Sequence, residues 1–160
     1  MAQPSSWRRP GSAWLLCFAV GTAGIGAEPG TVEGACQPSD TALCLTGDRF
    51  RVESSFHDHL GNDGLGHAVA LSAESGTFWF FTSANVELII KVVDACSLPH
   101  FHNFWVYVTG LTDVEVHLTV VDTWTQAVWE RQTSVGEPFP SILDSQAFAT
   151  CGASPGQVSP

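Results

Sequence analysis

The stretch Val86-Glu87-Leu88-Ile89-Ile90-Lys91-Val92-Val93-Asp94 decides the fold class. Val86, Leu88, Ile90 and Val92 recur at every second position, so an extended backbone turns all four to one side. Glu87 and Lys91 fall on the other. β-Branched side chains dominate the stretch, which predicts a strand with one buried face. The same alternation in Arg49-Phe50-Arg51-Val52-Glu53 predicts a strand over about 48–56, with Phe50 and Val52 inward and the charges in water. Gly76-Thr77-Phe78-Trp79-Phe80-Phe81 is apolar on both faces and reads as a strand through the middle of the core. Ala68 to Leu71 is a short strand. Phe104 to Val108 and Val114 to Asp122 flank Gly110-Leu111-Thr112-Asp113, which reads as a hairpin link, and Ala127 to Gln132 follows a turn at Thr123 to Gln126. Residues 57–67 hold three glycines, an Asn and two Asp and read as the longest internal loop. Only Ile142 to Phe148 has room for a short helical turn. Some seven strands around an aromatic core predict an all-β chain, a small antiparallel β-sandwich or flattened barrel.

The N-terminus places Arg8 and Arg9 ahead of the apolar run Ala13 to Ala23, the charged-then-apolar order of a secretory signal peptide. That run is shorter than the roughly 20 apolar residues that cross a bilayer. The expected organisation is a signal peptide over 1–27, a flexible leader over 28–40, a β-domain over 41–151 and a flexible tail over 152–160. No membrane span is expected in the processed chain. Residues 28–160 carry four basic residues, Arg49, Arg51, Lys91 and Arg131, against all 16 acidic ones, a net charge of −12. Such a surface repels polyanions, which excludes nucleic acid and anionic membrane faces as partners.

Cys36, Cys44, Cys96 and Cys151 remain once Cys17 leaves with the signal segment. An even number in an exported domain reads as two disulfides. Three pairings are open. A bridge from Cys36 or Cys44 to Cys151 is favoured, because it closes the longest loop. No Cys-x-x-Cys spacing points to thiolate-bound metal.

Most of residues 28–160 resembles a group of short exported bacterial modules, found alone or at the C-terminal end of larger secreted proteins. The resemblance runs through Leu43-Cys44-Leu45, Arg49 to Val52, Gly76 to Phe81, Asn85 to Leu88, Lys91 to Cys96 and Phe104 to Val106. It continues through Leu111 to Glu115, Thr119 to Thr123 and Ala147 to Cys151. It implies export, one β-rich domain and the four cysteines, and it carries no assigned activity. The chain departs from that pattern at Trp124-Thr125-Gln126, which lacks a Gly after the Asp-Thr turn. The histidines near position 57 and at 100 and 102 also stand outside it.

Histidine is the most distinctive chemical feature, with six in a chain holding one Lys. His57 with His59, and His100 with His102, sit at i, i+2, which on extended backbone puts both imidazoles on one side. With His67 they form a candidate site for Zn or Cu, to which Asp58 or Asp63 adds a carboxylate, provided both pairs reach the same rim. The loop over Asp58, Asn62 and Asp63 lacks the closing Glu of the twelve-residue calcium pattern. No Ser lies in a Gly-x-Ser-x-Gly elbow, and no catalytic residue is assigned. Trp124 and Trp129, beside polar residues, are candidates for an exposed ligand face. The functional expectation is a non-catalytic, secreted or periplasmic module that binds a protein or glycan. The alternative is a His-based transition-metal binder.

Overall fold

The computed structural model describes residues 34–156. The segments read as signal peptide and most of the leader lie outside them, as do the last four residues. The described residues belong to one compact unit. Its ten strands are β1 Ala42–Leu45, β2 Phe50–His57, β3 Asp63–Leu65, β4 His67–Ala70, β5 Ser75–Trp79, β6 Leu88–Asp94, β7 Phe104–Gly110, β8 Glu115–Asp122, β9 Val128–Gln132 and β10 Ile142–Phe148. They make two antiparallel five-stranded sheets that do not close into a barrel. The first has the order β1-β2-β8-β9, with β3 added to β2, and the second the order β10-β7-β6-β5-β4. Among the described residues no helix is long and apolar enough to cross a membrane.

The alternation that marked the strands also builds the core. Phe50 and Val52 of β2, Leu88, Ile90 and Val92 of β6, Val106 of β7 and Val116, Leu118 and Val120 of β8 are fully buried. Each such side chain contributes about 1.5–3 kcal/mol when taken out of water. Phe50 packs against Phe104 and Phe148, with ring centroids 4.8 and 5.0 Å apart, joining the sheets at one end.

Three strands lie beyond the seven expected. β1 is short, β3 lies inside the stretch read as loop, and β10 occupies the segment read as helical turn. β10 was obscured because its register against β7 shifts between Asp144 and Phe148, breaking the period-two pattern. β5 is the second strand from one edge, not the central one. Phe78 and Phe80 are buried, whereas Trp79 is half-buried and Phe81 exposed.

The hairpin expected around Gly110 to Asp113 does not form. β7 pairs with β6 and β10, while β8 pairs with β2 and β9, so the link crosses from one sheet to the other. Gly110 serves a close approach: a Cβ there would stand 2.4 Å from the Cβ of buried Phe139. β8 instead forms a hairpin with β9, where Gln126 adopts φ 62° in the place where a Gly was expected.

The cysteines pair as Cys36–Cys44 and Cys96–Cys151. The favoured bridge from Cys36 or Cys44 to Cys151 is therefore replaced. The amide of Cys36 donates to the carbonyl of Asp48, which folds that buried residue back onto β1, while Cys151 follows β10 to the end of β6. Loop-length entropy favours a long closure only among geometries the fold allows. The two bridges fit an oxidising compartment.

Arg49, expected in water, is buried beside Asp122. Its Nε and Nη2 donate to the two carboxylate oxygens at 2.9 and 2.6 Å, and Nη2 also donates to the Thr150 carbonyl at 2.8 Å. Its guanidinium lies 4.4 Å from the ring centroids of both Phe104 and Trp124. Asp122 has the parity of Val116, Leu118 and Val120, so the pleat that buries them points its carboxylate inward. Burial works to raise the Asp122 carboxyl. The bonds from Arg49, Thr150, the Trp124 amide and Thr125 outweigh it and hold the group below its ordinary range.

Candidate functional site

The outward faces of the two sheets differ in chemistry. On the first sheet, β2 and β8 present Arg51, Glu53, Ser55, His117 and Thr119, and the charges are matched locally. Arg51 reaches Glu53 at 2.6 Å, and His117 lies 3.4 Å from Glu130. On the second sheet the outward positions are largely apolar. Pairing sets Leu143 beside Tyr107, Tyr107 beside Lys91 and Lys91 beside Ser75, so these side chains from β10, β7, β6 and β5 stand in one row across the strands. The adjacent row sets Thr109 beside Ile89 and Ile89 beside Thr77.

These residues other than Thr77 line an open groove of about 510 Å³, with Leu71 toward one side and Ser141 and Leu143 toward the other. Leu143 is 76% exposed, Leu71 61% and Ile89 40%. The volume lies within the range of small-molecule sites. Ser75, Thr109, Ser141 and the Tyr107 hydroxyl place hydrogen-bonding groups along an otherwise greasy surface. The one charge in it is Lys91, which makes no ion pair among the described residues, and no carboxylate lines the groove. Beyond one end, Tyr107 continues into Trp105 and Phe101, with centroids 5.8 and 5.2 Å apart. The aromatic run that looked like core is thus divided: Phe78, Phe80 and Phe104 are inside, while Trp105 and Tyr107 are half outside.

The histidines do not assemble. His57 closes β2 and sits opposite Asp63 of β3, its Nδ1 2.8 Å from the carboxylate. His59, in the following turn, lies 3.2 Å from Asp113. His100 and His102 lie in the β6–β7 connection at φ 74° and 27°, a turn rather than extended backbone, and His102 meets the Cys96 carbonyl. That connection enters β7 at Phe104, which packs on Phe50 at the start of β2. His57 is at the other end of β2, about 23 Å away at 3.3 Å per residue. The expectation that both pairs share a rim is therefore corrected. His67 belongs to β4 of the other sheet and stacks on Trp79 at 3.8 Å. Among the described residues no three His, Cys, Asp or Glu side chains are grouped to hold a metal ion. Trp124 and Trp129 are each half-buried. Trp124 covers the Arg49 guanidinium, and the Trp129 Nε1 donates to Asp144 at 3.0 Å, tying β9 to β10.

Comparison with known proteins places no relative beside this chain: no family profile, no curated protein and no solved structure matches it. The groove therefore stands on its own chemistry. None of its lining residues was singled out as a site in the sequence. Only the outward parity of Lys91 hinted at one.

His57 gives a testable consequence at the rim. The hydrogen bond to Asp63 raises its pKa despite slight desolvation, and the charges of Asp63, Glu115 and Asp58 add to the rise. A raised pKa means that the contact strengthens the fold fully below about pH 6.5 and is lost as pH climbs through the higher folded value. NMR titration is expected to place His57 above the ordinary imidazole value of about 6.5, and Asp63→Asn to lower it. An unchanged His57 titration in that variant would show that the pair is not formed.

Proposed function

We propose that this protein is an exported, non-catalytic binding module of the cell exterior or periplasm, and that it takes its ligand on the outward face of its second sheet. The observation that carries this reading is the asymmetry of the two faces: one is charge-matched, the other holds an apolar groove with hydroxyls and an unpaired cation. Exposed apolar patches rimmed by polar groups mark binding surfaces. Export is supported by the charged-then-apolar N-terminal sequence and the two disulfides. The four cysteines that a nucleophilic reading would need are consumed in bridges, and the resemblance to exported modules points the same way.

The test is independent of ligand class. An NMR screen of chemically mixed fragments against the disulfide-intact protein is expected to shift the resonances of Leu71, Ile89, Lys91, Tyr107 and Leu143 more often than any others. Ile89→Asp is expected to remove those hits while leaving the remaining spectrum in place. Hits concentrated at the His57 rim or around Trp124 would overturn the assignment.

A further inference from the structure

We infer that the groove is a site for a free, single-headed anionic amphiphile of the long-chain carboxylate class, with the head group on Lys91 and the alkyl tail laid across the strands. This rests on the binding-module reading and adds the chemistry of the ligand.

Charge selects the head group. Of the four cations in residues 28–160, Arg49 and Arg51 are committed to Asp122 and Glu53, and Arg131 stands on β9 of the other sheet. Lys91, itself exposed, is the one cation that lines the groove, which it shares with Ile89, Tyr107 and Leu143. An ammonium group in partly apolar surroundings gains from a carboxylate that completes its hydrogen bonds. Tyr107, paired beside Lys91, brings a hydroxyl donor to the same side, while the hydroxyls of Ser75 and Thr109 are engaged by Ser72 and Ser141. A single cation in so acidic a chain matches one anionic group and not a polyanion, because the field beyond Lys91 is repulsive. The same repulsion disfavours docking on an anionic bilayer.

Shape selects the tail. The groove runs from Leu71 beside β4, across β5, β6 and β7, to Leu143 on β10. Four interstrand steps of about 4.8 Å make it about 19 Å long, with Lys91 near the middle. A linear chain anchored there covers either Leu71 or Ile89 and Leu143. A second copy of the protein is a poorer occupant, since a twofold contact through this face would set two Lys91 ammonium groups and two acidic chains against each other.

The experiment is methyl NMR on the full disulfide-intact protein, titrated below micelle concentration with dodecanoate, dodecyltrimethylammonium and dodecyl maltoside. Dodecanoate is expected to shift either the Leu71 methyls or those of Ile89 and Leu143, and affinity along the alkanoate series to rise about two- to fourfold for each methylene until the tail fills that arm of about 10 Å. Lys91→Met is expected to weaken dodecanoate about fivefold. Lys91→Glu is expected to transfer the preference to dodecyltrimethylammonium. Equal binding of all three amphiphiles, or none at these methyls, overturns the anionic-amphiphile assignment. A rotational correlation time that doubles with protein concentration, with these methyls broadened, overturns it in favour of self-association. If fragments still gather in the groove while dodecanoate fails, the ligand class is wrong and the binding face stands.

Discussion

Asp122→Ala is expected to destabilise the protein by about 3–5 kcal/mol, the cost of leaving one member of a buried ion pair uncompensated. The side chains of Arg49 and Asp122 are 5% and 0% exposed, so water cannot replace the lost partner. Without the carboxylate, the guanidinium keeps the Thr150 carbonyl and hydroxyl and its aromatic neighbours Phe50, Phe104 and Trp124. Arg49→Met leaves the converse, a carboxylate with amide and hydroxyl donors and no cation. Urea unfolding at pH 7 measures both. The double change Arg49→Met/Asp122→Leu is expected to recover most of the loss, because apolar replacement of a buried pair removes the uncompensated charge. A single-variant loss below about 1 kcal/mol, the range of an exposed pair, would contradict this account.

The same pair contributes to stability in acid. Because the folded pKa of Asp122 lies below its unfolded value of about 3.9, its contribution is present above that pH and lost as pH falls through the lower folded value. The acid limb of the stability profile is expected to flatten in Asp122→Asn.

Removing the Cys96–Cys151 bridge is expected to cost more than removing Cys36–Cys44. The bridges span 55 and 8 residues, and constraint of the unfolded chain gives about 4 and 2.5 kcal/mol respectively. Paired Cys→Ser variants compared by urea unfolding test the order, and equal losses would contradict it. Cys151 adjoins Thr150, which Arg49 holds, so the bridge and the buried pair fix one segment together. Combined with Asp122→Ala, the Cys96→Ser/Cys151→Ser change is accordingly expected to depart from additivity.

The all-β class, seven of the strands and the inward parity of their apolar positions are legible in the sequence, because pleating is local and its period of two is written directly into the residue order. The inward parity of Asp122 with Val116, Leu118 and Val120 is legible locally, whereas its partner Arg49 is not. Which segments pair is decided elsewhere. Gly110 to Asp113 has the composition of a hairpin, yet it joins two sheets, since β7 and β8 each find partners distant in sequence. The cysteine pairing, the separation of the histidines to opposite ends of β2, and the groove built from residues 71 to 143 all follow from that pairing. Each depends on which segments come to lie side by side, where local alternation says which face a side chain takes and nothing about its neighbour.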